Sequence, residues 1–360
     1  MIPVAFTGKP SSWSCQDFTL NYWYKTIKEI VPVELDKNPK FVFVNCTSDS
    51  LRDFYLNWRD KAISIFMGLE AIAPNFNDFD FALGFDPISY SDRYLRLNIA
   101  YKYRDYFPGV VDTRSMSMIS LQNSRLPRTR FCDFIYSNWD AHPTRDFFYK
   151  EINGKQFVHS YGEHLKNSIL PESAINLDWK SQSIEIRKLH KFTLCFENAL
   201  HIVYTSEKIF SSIIAGSIPI YWGNPKISLD LNQRRLIDVH SFENNLKAIE
   251  YVLAAHQNVE LYNSMLREPI FTEEQLVDME EWPSKFKFFI RNIFEDSSQS
   301  SRRSIGTLAD RNRGRLLPYF YFLPLIEWIQ LWFRIMKSGR YSLVLKKKFP
   351  LHQRYLSKTK

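Results

Sequence analysis

Apolar residues in this chain gather into short runs that are hydrophobic at both alternate positions, the pattern of strands covered on both faces of a parallel sheet. Residues 41–45, 62–67 and 79–85 are the clearest in the first half, and 18–30 has the pattern of a helix between polar segments. Residues 131–136, 192–196 and 218–222 repeat the strand pattern in the second half. There, 236–239 reads as a further strand and 244–254 as an amphipathic helix. From Val259 onward the pattern is helical, with a break expected at Trp282-Pro283 because proline lacks the amide donor. The polar, proline-containing stretch 122–130 separates the halves. The pattern predicts an α/β protein of two Rossmann-like units, 1–122 and 128–300, followed by a distinct tail, 301–360.

The stretch 191–223 reads as strand, loop, helix, strand. Its first strand ends in Glu197 and Asn198. Ser206 is placed to cap a helix that opens with Glu207 and Lys208, and Gly216 sits where that helix should stop. Strand ends and helix starts of a βαβ unit face one crevice, where ligands of open α/β sheets bind and helix-start amides favour an anion. Glu197, Asn198, Tyr204, Glu207 and Lys208 thus converge on a place suited to a phosphorylated, hydroxyl-rich ligand. Spacing alone also allows a plainer reading, in which Glu207 complements the helix dipole and Lys208 is a solvated charge.

Three further positions bear on chemistry. Arg145 falls at a predicted helix start after Pro143, where a cation is unfavourable unless an anion is near; a solvated arginine at a frayed end is the alternative. Glu70 lies just past a buried strand on a loop stiffened by Pro74, either entering a cleft or exposed as an ordinary loop carboxylate. Asp78-Phe79-Asp80 imitates a metal-binding pair, but its carboxylates bracket a strand entrance, and no metal site is expected there.

Composition changes the picture at the C-terminal end. The net charge of +8 is unevenly placed, since 301–360 holds 14 Lys or Arg against Asp310 and Glu327. Residues 316–336 are very apolar, but Pro318, Pro324, Glu327 and Gln330 argue against a membrane-spanning helix. Basic residues interleaved with Trp332, Phe333, Tyr341 and Phe349 suit an interfacial segment on anionic lipid. A solvated or subunit-contacting tail and nucleic-acid binding are the competing readings; the membrane surface is adopted, with no nucleic-acid partner. Four separated cysteines, Cys15, Cys46, Cys132 and Cys195, read as reduced core thiols. No signal-type apolar run follows Met1, so the expected location is cytoplasmic.

The string 196–223, FENALHIVYTSEKIFSSIIAGSIPIYWG, resembles the signature of the α-1,3/4-fucosyltransferases, glycosyltransferase family 10. Ala199, Thr205 and Ser206 depart from it, standing for Ser or Thr, Val, and Thr respectively. The resemblance continues through Glu70, residues 74–76, 84–86 and 92–96, Ser137-Asn138 with Arg145, and 158–162, spanning roughly 65–269. It implies a GT-B architecture of two facing Rossmann-like domains and an inverting transfer of L-fucose from GDP-fucose. The implied acceptor is a GlcNAc hydroxyl of an N-acetyllactosamine-type glycan of lipopolysaccharide. By the family's pattern Glu70 is the base, Arg145 and Lys208 face the diphosphate, Glu207 binds ribose, and Glu197, Asn198 and Tyr204 hold nucleotide or fucose. No metal is required in this scheme, a divalent cation being at most stimulatory. A bacterial enzyme peripheral on the inner face of the inner membrane is the implied setting. Two alternatives remain open at this point: a GT-B enzyme with another nucleotide sugar or acceptor, and a non-catalytic nucleotide-sugar-binding protein at the membrane.

Overall fold

Runs that are apolar on both faces become strands only where both faces are covered, and the computed structural model shows how this chain covers them. It describes residues 1–7, 22–103 and 125–295, with isolated positions at 122, 325, 329–330 and 332–333. The first sheet comprises β1 (Ile2–Phe6), β2 (Val33–Leu35), β3 (Phe41–Asn45), β4 (Ile63–Met67), β5 (Phe81–Gly84) and β6 (Tyr94–Arg96). All six are parallel, in the order β2-β1-β3-β4-β5-β6. Every residue of β3 and β4 is buried. Ser64 is the polar exception in β4, and it is satisfied by Asp80, whose Oδ2 accepts from its amide at 2.8 Å and its hydroxyl at 2.9 Å. Asp78 accepts in turn from Tyr55, Arg59 and Asn75. Both carboxylates of the Asp78-Phe79-Asp80 triplet therefore brace the entry to β5, at the N-terminal edge of the sheet.

The second sheet holds β7 (Arg130–Phe134), β8 (Val158–Ser160), β9 (His190–Phe196), β10 (Ile218–Trp222) and β11 (Ile237–Asp238), also parallel, in the order β11-β10-β9-β7-β8. The molecule thus consists of two Rossmann-like α/β halves. Each sheet reverses its strand order once, between β1 and β3 and between β7 and β9, and such switch points open a crevice at the strands' carboxyl ends. β9 and β10 pair in register from Phe192↔Ile218 to Phe196↔Trp222, which sets Glu197 beside Gly223.

The expected break at Pro283 does not occur: one helix runs from Glu273 to Glu295. Trp282 holds it to the first half, its indole donating to the Arg96 carbonyl at 2.8 Å and its ring stacking on Phe286 at 5.1 Å. Phe286, Phe289, Ile290, Ile293 and Phe294 enter the core of the first sheet, with Phe294 4.6 Å from Phe41 between ring centroids. Burial of this apolar stripe outweighs the one hydrogen bond that proline cannot make. A division at 122–128 consequently leaves the end of this helix with the first core rather than the second. A third cluster joins the halves, bringing Ile99 and Tyr103 against Ile209, Phe210 and Ile213. Cys46, Cys132 and Cys195 are buried free thiols. Cys15 lies outside the described residues, as does the tail apart from its five isolated positions.

Candidate active site

The site forms where the carboxyl ends of β4, β7, β9 and β10 meet. Glu197, directly after β9, is 2% exposed. Its Oε1 accepts from the Ser206 amide at 2.7 Å, and its Oε2 lies 3.6 Å from Lys208 Nζ. Ser206 occupies the cap position but does not cap through its side chain; its hydroxyl accepts from Lys208 Nζ at 3.0 Å instead. A carboxylate from the preceding strand therefore satisfies the start of the helix Glu207–Ile214. Gly223 makes this possible, because a Cβ there would stand 2.4 Å from Glu197 Cγ, and its φ of +152° is one that side chains rarely tolerate. At its far end the helix stops as expected, with Gly216 at φ +75°.

The loop before this helix is fixed by Asn224, which is fully buried. Asn224 Oδ1 accepts from the Val203 amide at 2.8 Å and its Nδ2 donates to Thr205 Oγ1 at 3.2 Å. Tyr204, held between these two residues, reaches across to the first half. Its hydroxyl donates to Glu70 Oε2 at 2.7 Å, and its ring meets Phe85 edge-on at 5.2 Å. Glu70 is exposed on the loop after β4. The hydrogen bond sets the first-half carboxylate against the second-half loop.

Lys102 completes this corner, and nothing in its sequence neighbourhood singles it out. It donates to the Leu69 carbonyl at 2.6 Å and lies over the rings of Phe85, Tyr103 and Tyr204 at 4.6, 4.8 and 5.5 Å. Burial pushes its pKa down to about 8, opposed by the charges of Glu70 and Glu207. Lys208 behaves oppositely: burial pulls its pKa down, but Glu197 and Glu207 outweigh that and the net shift is upward. The two lysines of the site are thus shifted in opposite directions, Lys102 down by burial and Lys208 up by its carboxylate neighbours. Two contacts close the cleft beside them, Arg96 Nη2 to Asp230 Oδ1 at 2.8 Å and the Tyr103 hydroxyl to the Thr205 carbonyl at 3.3 Å.

Arg145 is the third residue of the helix Pro143–Asn153 and is 1% exposed, which removes the solvated alternative. Its guanidinium lies 4.5 Å over the Tyr136 ring, and Nη2 donates to the Asn138 carbonyl at 2.7 Å. Nε is 3.6 Å from Asp146 Oδ1, and neither Nε nor Nη1 has a hydrogen-bond partner among the described residues. A buried guanidinium with open donors matches an oxyanion such as a diphosphate oxygen. Asn198 is exposed, and its carbonyl accepts from the His142 amide at 2.8 Å, tying the loop after β9 to the start of Arg145's helix. Glu207, Lys208 and Ser211 line a cavity of about 310 Å³ that also touches Ser137, Gly162 and Arg187. Gly162 is required for the close approach there, since a Cβ would fall 2.1 Å from the Tyr136 carbonyl oxygen. The arrangement brings together a carboxylate and a cation of the first half, Glu70 and Lys102, with the cation Lys208 and the carboxylates Glu197 and Glu207 of the second.

Comparison with known proteins accords with this geometry. The family model "Glycosyltransferase family 10 (fucosyltransferase) C-term" matches residues 126–287, and "Alpha-(1,3)-fucosyltransferase FucT N-terminal domain" matches 10–103. The chain is 28% identical over 284 residues to an α-(1,3)-fucosyltransferase FucT of Helicobacter pylori, covering 70% of this chain and 57% of that protein. It is 33% identical over 136 residues to α-(1,3)-fucosyltransferase B of Drosophila melanogaster, covering 36% of this chain and 31% of the relative. A solved α1,3-fucosyltransferase superposes with a TM-score of 0.64 at 25% identity, covering 83% of this chain and 93% of that one. A GDP-fucose complex, at 0.63 and 23%, shares the fold. The chain spans little more than half the length of the Helicobacter relative and about a third of the Drosophila one. Matched by family models in both halves and superposable on a solved α1,3-fucosyltransferase, the chain has the GT-B fold and belongs to glycosyltransferase family 10, the fucosyltransferases.

Proposed function

We propose that this protein transfers L-fucose from GDP-fucose, with inversion, to a GlcNAc hydroxyl of an N-acetyllactosamine-type glycan, in the assembly of lipopolysaccharide. The observation that carries the proposal is the 2.7 Å hydrogen bond from Tyr204 to Glu70, which puts a carboxylate from the first half at the mouth of the second-half anion site. In the proposed reaction Glu70 takes the acceptor proton as that oxygen attacks the anomeric carbon from the face opposite the nucleotide. The transition state is oxocarbenium-like. Arg145 and Lys208 stabilise the charge that builds on the departing diphosphate, where fixed cations act most strongly. Glu207 holds ribose hydroxyls, while Glu197, Asn198 and Tyr204 position nucleotide or fucose. With two cations on the diphosphate, the scheme needs no metal.

The first-half match to an α-(1,3)-fucosyltransferase N-terminal domain supports a glycan acceptor, since that half faces the donor cleft. We also propose that residues 301–360 rest on an anionic membrane surface at the cytoplasmic face. Its composition supports this, as do Trp332 and Phe333, both exposed. No helix among the described residues is long and apolar enough to cross a membrane.

The test is to incubate purified protein with GDP-fucose and paired type 1 and type 2 lactosamine acceptors, with Glu70→Gln in parallel. The wild type is expected to form fucosylated product, and the variant to lose about 10²–10⁴-fold in kcat while still binding GDP. Absence of transfer to any lactosamine rejects the activity. Full turnover by the variant rejects Glu70 as the base.

A further inference from the structure

The second sheet has another charged edge. Lys191 is the second residue of β9 and Glu197 follows its last, so about 20 Å separates them at roughly 3.3 Å per residue. Around Lys191, the side chains of Arg125, Arg128 and Arg267 line a cavity of about 490 Å³ together with Tyr262 and Asn263. No acidic side chain lines it among the described residues. Arg128 is oriented by the carbonyls of Lys188 and Ala215, at 3.4 and 2.7 Å, and Lys191 Nζ stands 5.2 Å over the Tyr262 ring.

Surface cations usually need no explanation, and Arg267 complements the C-terminal end of its own helix. The groups beneath them do need one. Arg235 is 1% exposed, yet neither of its terminal nitrogens has a hydrogen-bond partner among the described residues. The hydroxyl of Tyr262, a residue 8% exposed, is likewise unpartnered. Burial pushes the Arg235 pKa down to about 10, opposed by Tyr262 and reinforced by the nearby Arg128. A desolvated guanidinium with Arg128 nearby and no carboxylate acting on it among the described residues is costly unless a counter-charge arrives from outside.

We propose that this cavity is a second anion site, distinct from the donor cleft, that binds a phosphate-bearing ligand through Arg128, Lys191 and Arg267. The ligand neutralises the field around Arg235, and Asn263 offers its amide to the phosphate oxygens. Phosphate chemistry fits because forked and point-like cations together match a polyoxygen anion. Its source is either a soluble phosphate ester or the headgroup of an acidic phospholipid.

The experiment is calorimetric titration of inorganic pyrophosphate into the full chain, in saturating GDP to occupy the donor cleft. One saturable binding event is expected to persist, and in Lys191→Gln/Arg267→Gln it weakens by at least about tenfold. Both side chains reach solvent, so the ligand-free chain should stay folded with only a small fall in melting midpoint, and fucosyl transfer should match wild type. Vesicles of phosphatidic acid that displace bound pyrophosphate identify the lipid headgroup as the source; vesicles that leave it bound identify a soluble phosphate. Absence of a GDP-insensitive event, or an unchanged affinity in the double variant, overturns the site. Neither outcome depends on whether the chain transfers fucose.

Discussion

Replacing Gly223 by alanine tests how the donor half of the site is assembled. The new Cβ would lie 2.4 Å from Glu197 Cγ and 2.7 Å from its Cβ, while the backbone stays at φ +152°. Holding a side chain in such a conformation costs about 1–3 kcal/mol. Displacing Glu197 removes the charge-assisted bond it accepts from Ser206 and its ion pair with Lys208. A hydrogen bond to a charged group contributes about 1.5–3 kcal/mol, so the combined loss is about 2.5–6 kcal/mol. Urea denaturation of Gly223→Ala, Glu197→Gly and the double variant separates the two parts. Glu197→Gly alone should cost about 2–3 kcal/mol through the orphaned Ser206 amide. With no side chain at 197 the clash cannot occur, so the double variant should be more stable than the sum of the singles by at least about 1 kcal/mol. GDP affinity should fall in all three, because Lys208 loses its anchor. Costs that add to within about 0.5 kcal/mol would show that the two residues do not compete for one space, and would refute the assembly described here.

Other expectations are independent of that cycle. Pro283→Ala should stabilise the chain by about 1–3 kcal/mol, since the helix already runs through this position and alanine restores the missing donor; an unchanged denaturation midpoint would contradict it. Lys102 should make stability rise with pH. Its folded pKa of about 8 is below the ordinary 10.5, so between these values the unfolded chain holds a proton that the folded chain has released. Denaturation at pH 8 to 10 should show this positive slope reduced in Lys102→Met. Arg145→Met should weaken GDP binding at least about tenfold, as expected for a charge-assisted contact, and should also lower apo stability by about 1–3 kcal/mol because the Asn138 carbonyl loses its donor. A large stability loss at unchanged affinity would assign Arg145 a purely structural role.

The parts of this molecule legible in the sequence are those where local pattern and tertiary demand coincide. β3, β4, β9 and β10 are buried on both faces and therefore read as continuous apolar runs. β2 and β6, three residues each, are too short to carry a period and are held by their neighbours in the sheet. The helix Trp179–Lys188 also escapes the pattern reading, because its apolar positions are few and two of its three buried residues, Ser183 and Arg187, are polar. Glu197, Glu207 and Lys208 lie within one βαβ unit, where spacing alone suggests convergence. Lys102 is different: its environment consists of Leu69, Phe85 and Tyr204, brought together only by folding. Ser206 shows the same limit in miniature, since its position as a cap was readable but the diversion of its hydroxyl to Lys208 was not. Pro283 shows the reverse, a strong local signal overruled by packing.

The helix that carries Pro283 also sets an order of events. Phe41 packs against Phe294, so the first sheet, although its strands lie near the start of the chain, lacks part of its core until residue 294 has left the ribosome. Contacts of such sequence separation are late and slow to form. The first half is therefore expected to wait, incompletely packed, while the second folds ahead of it, reversing the usual N-terminal-first sequence of domain folding during synthesis.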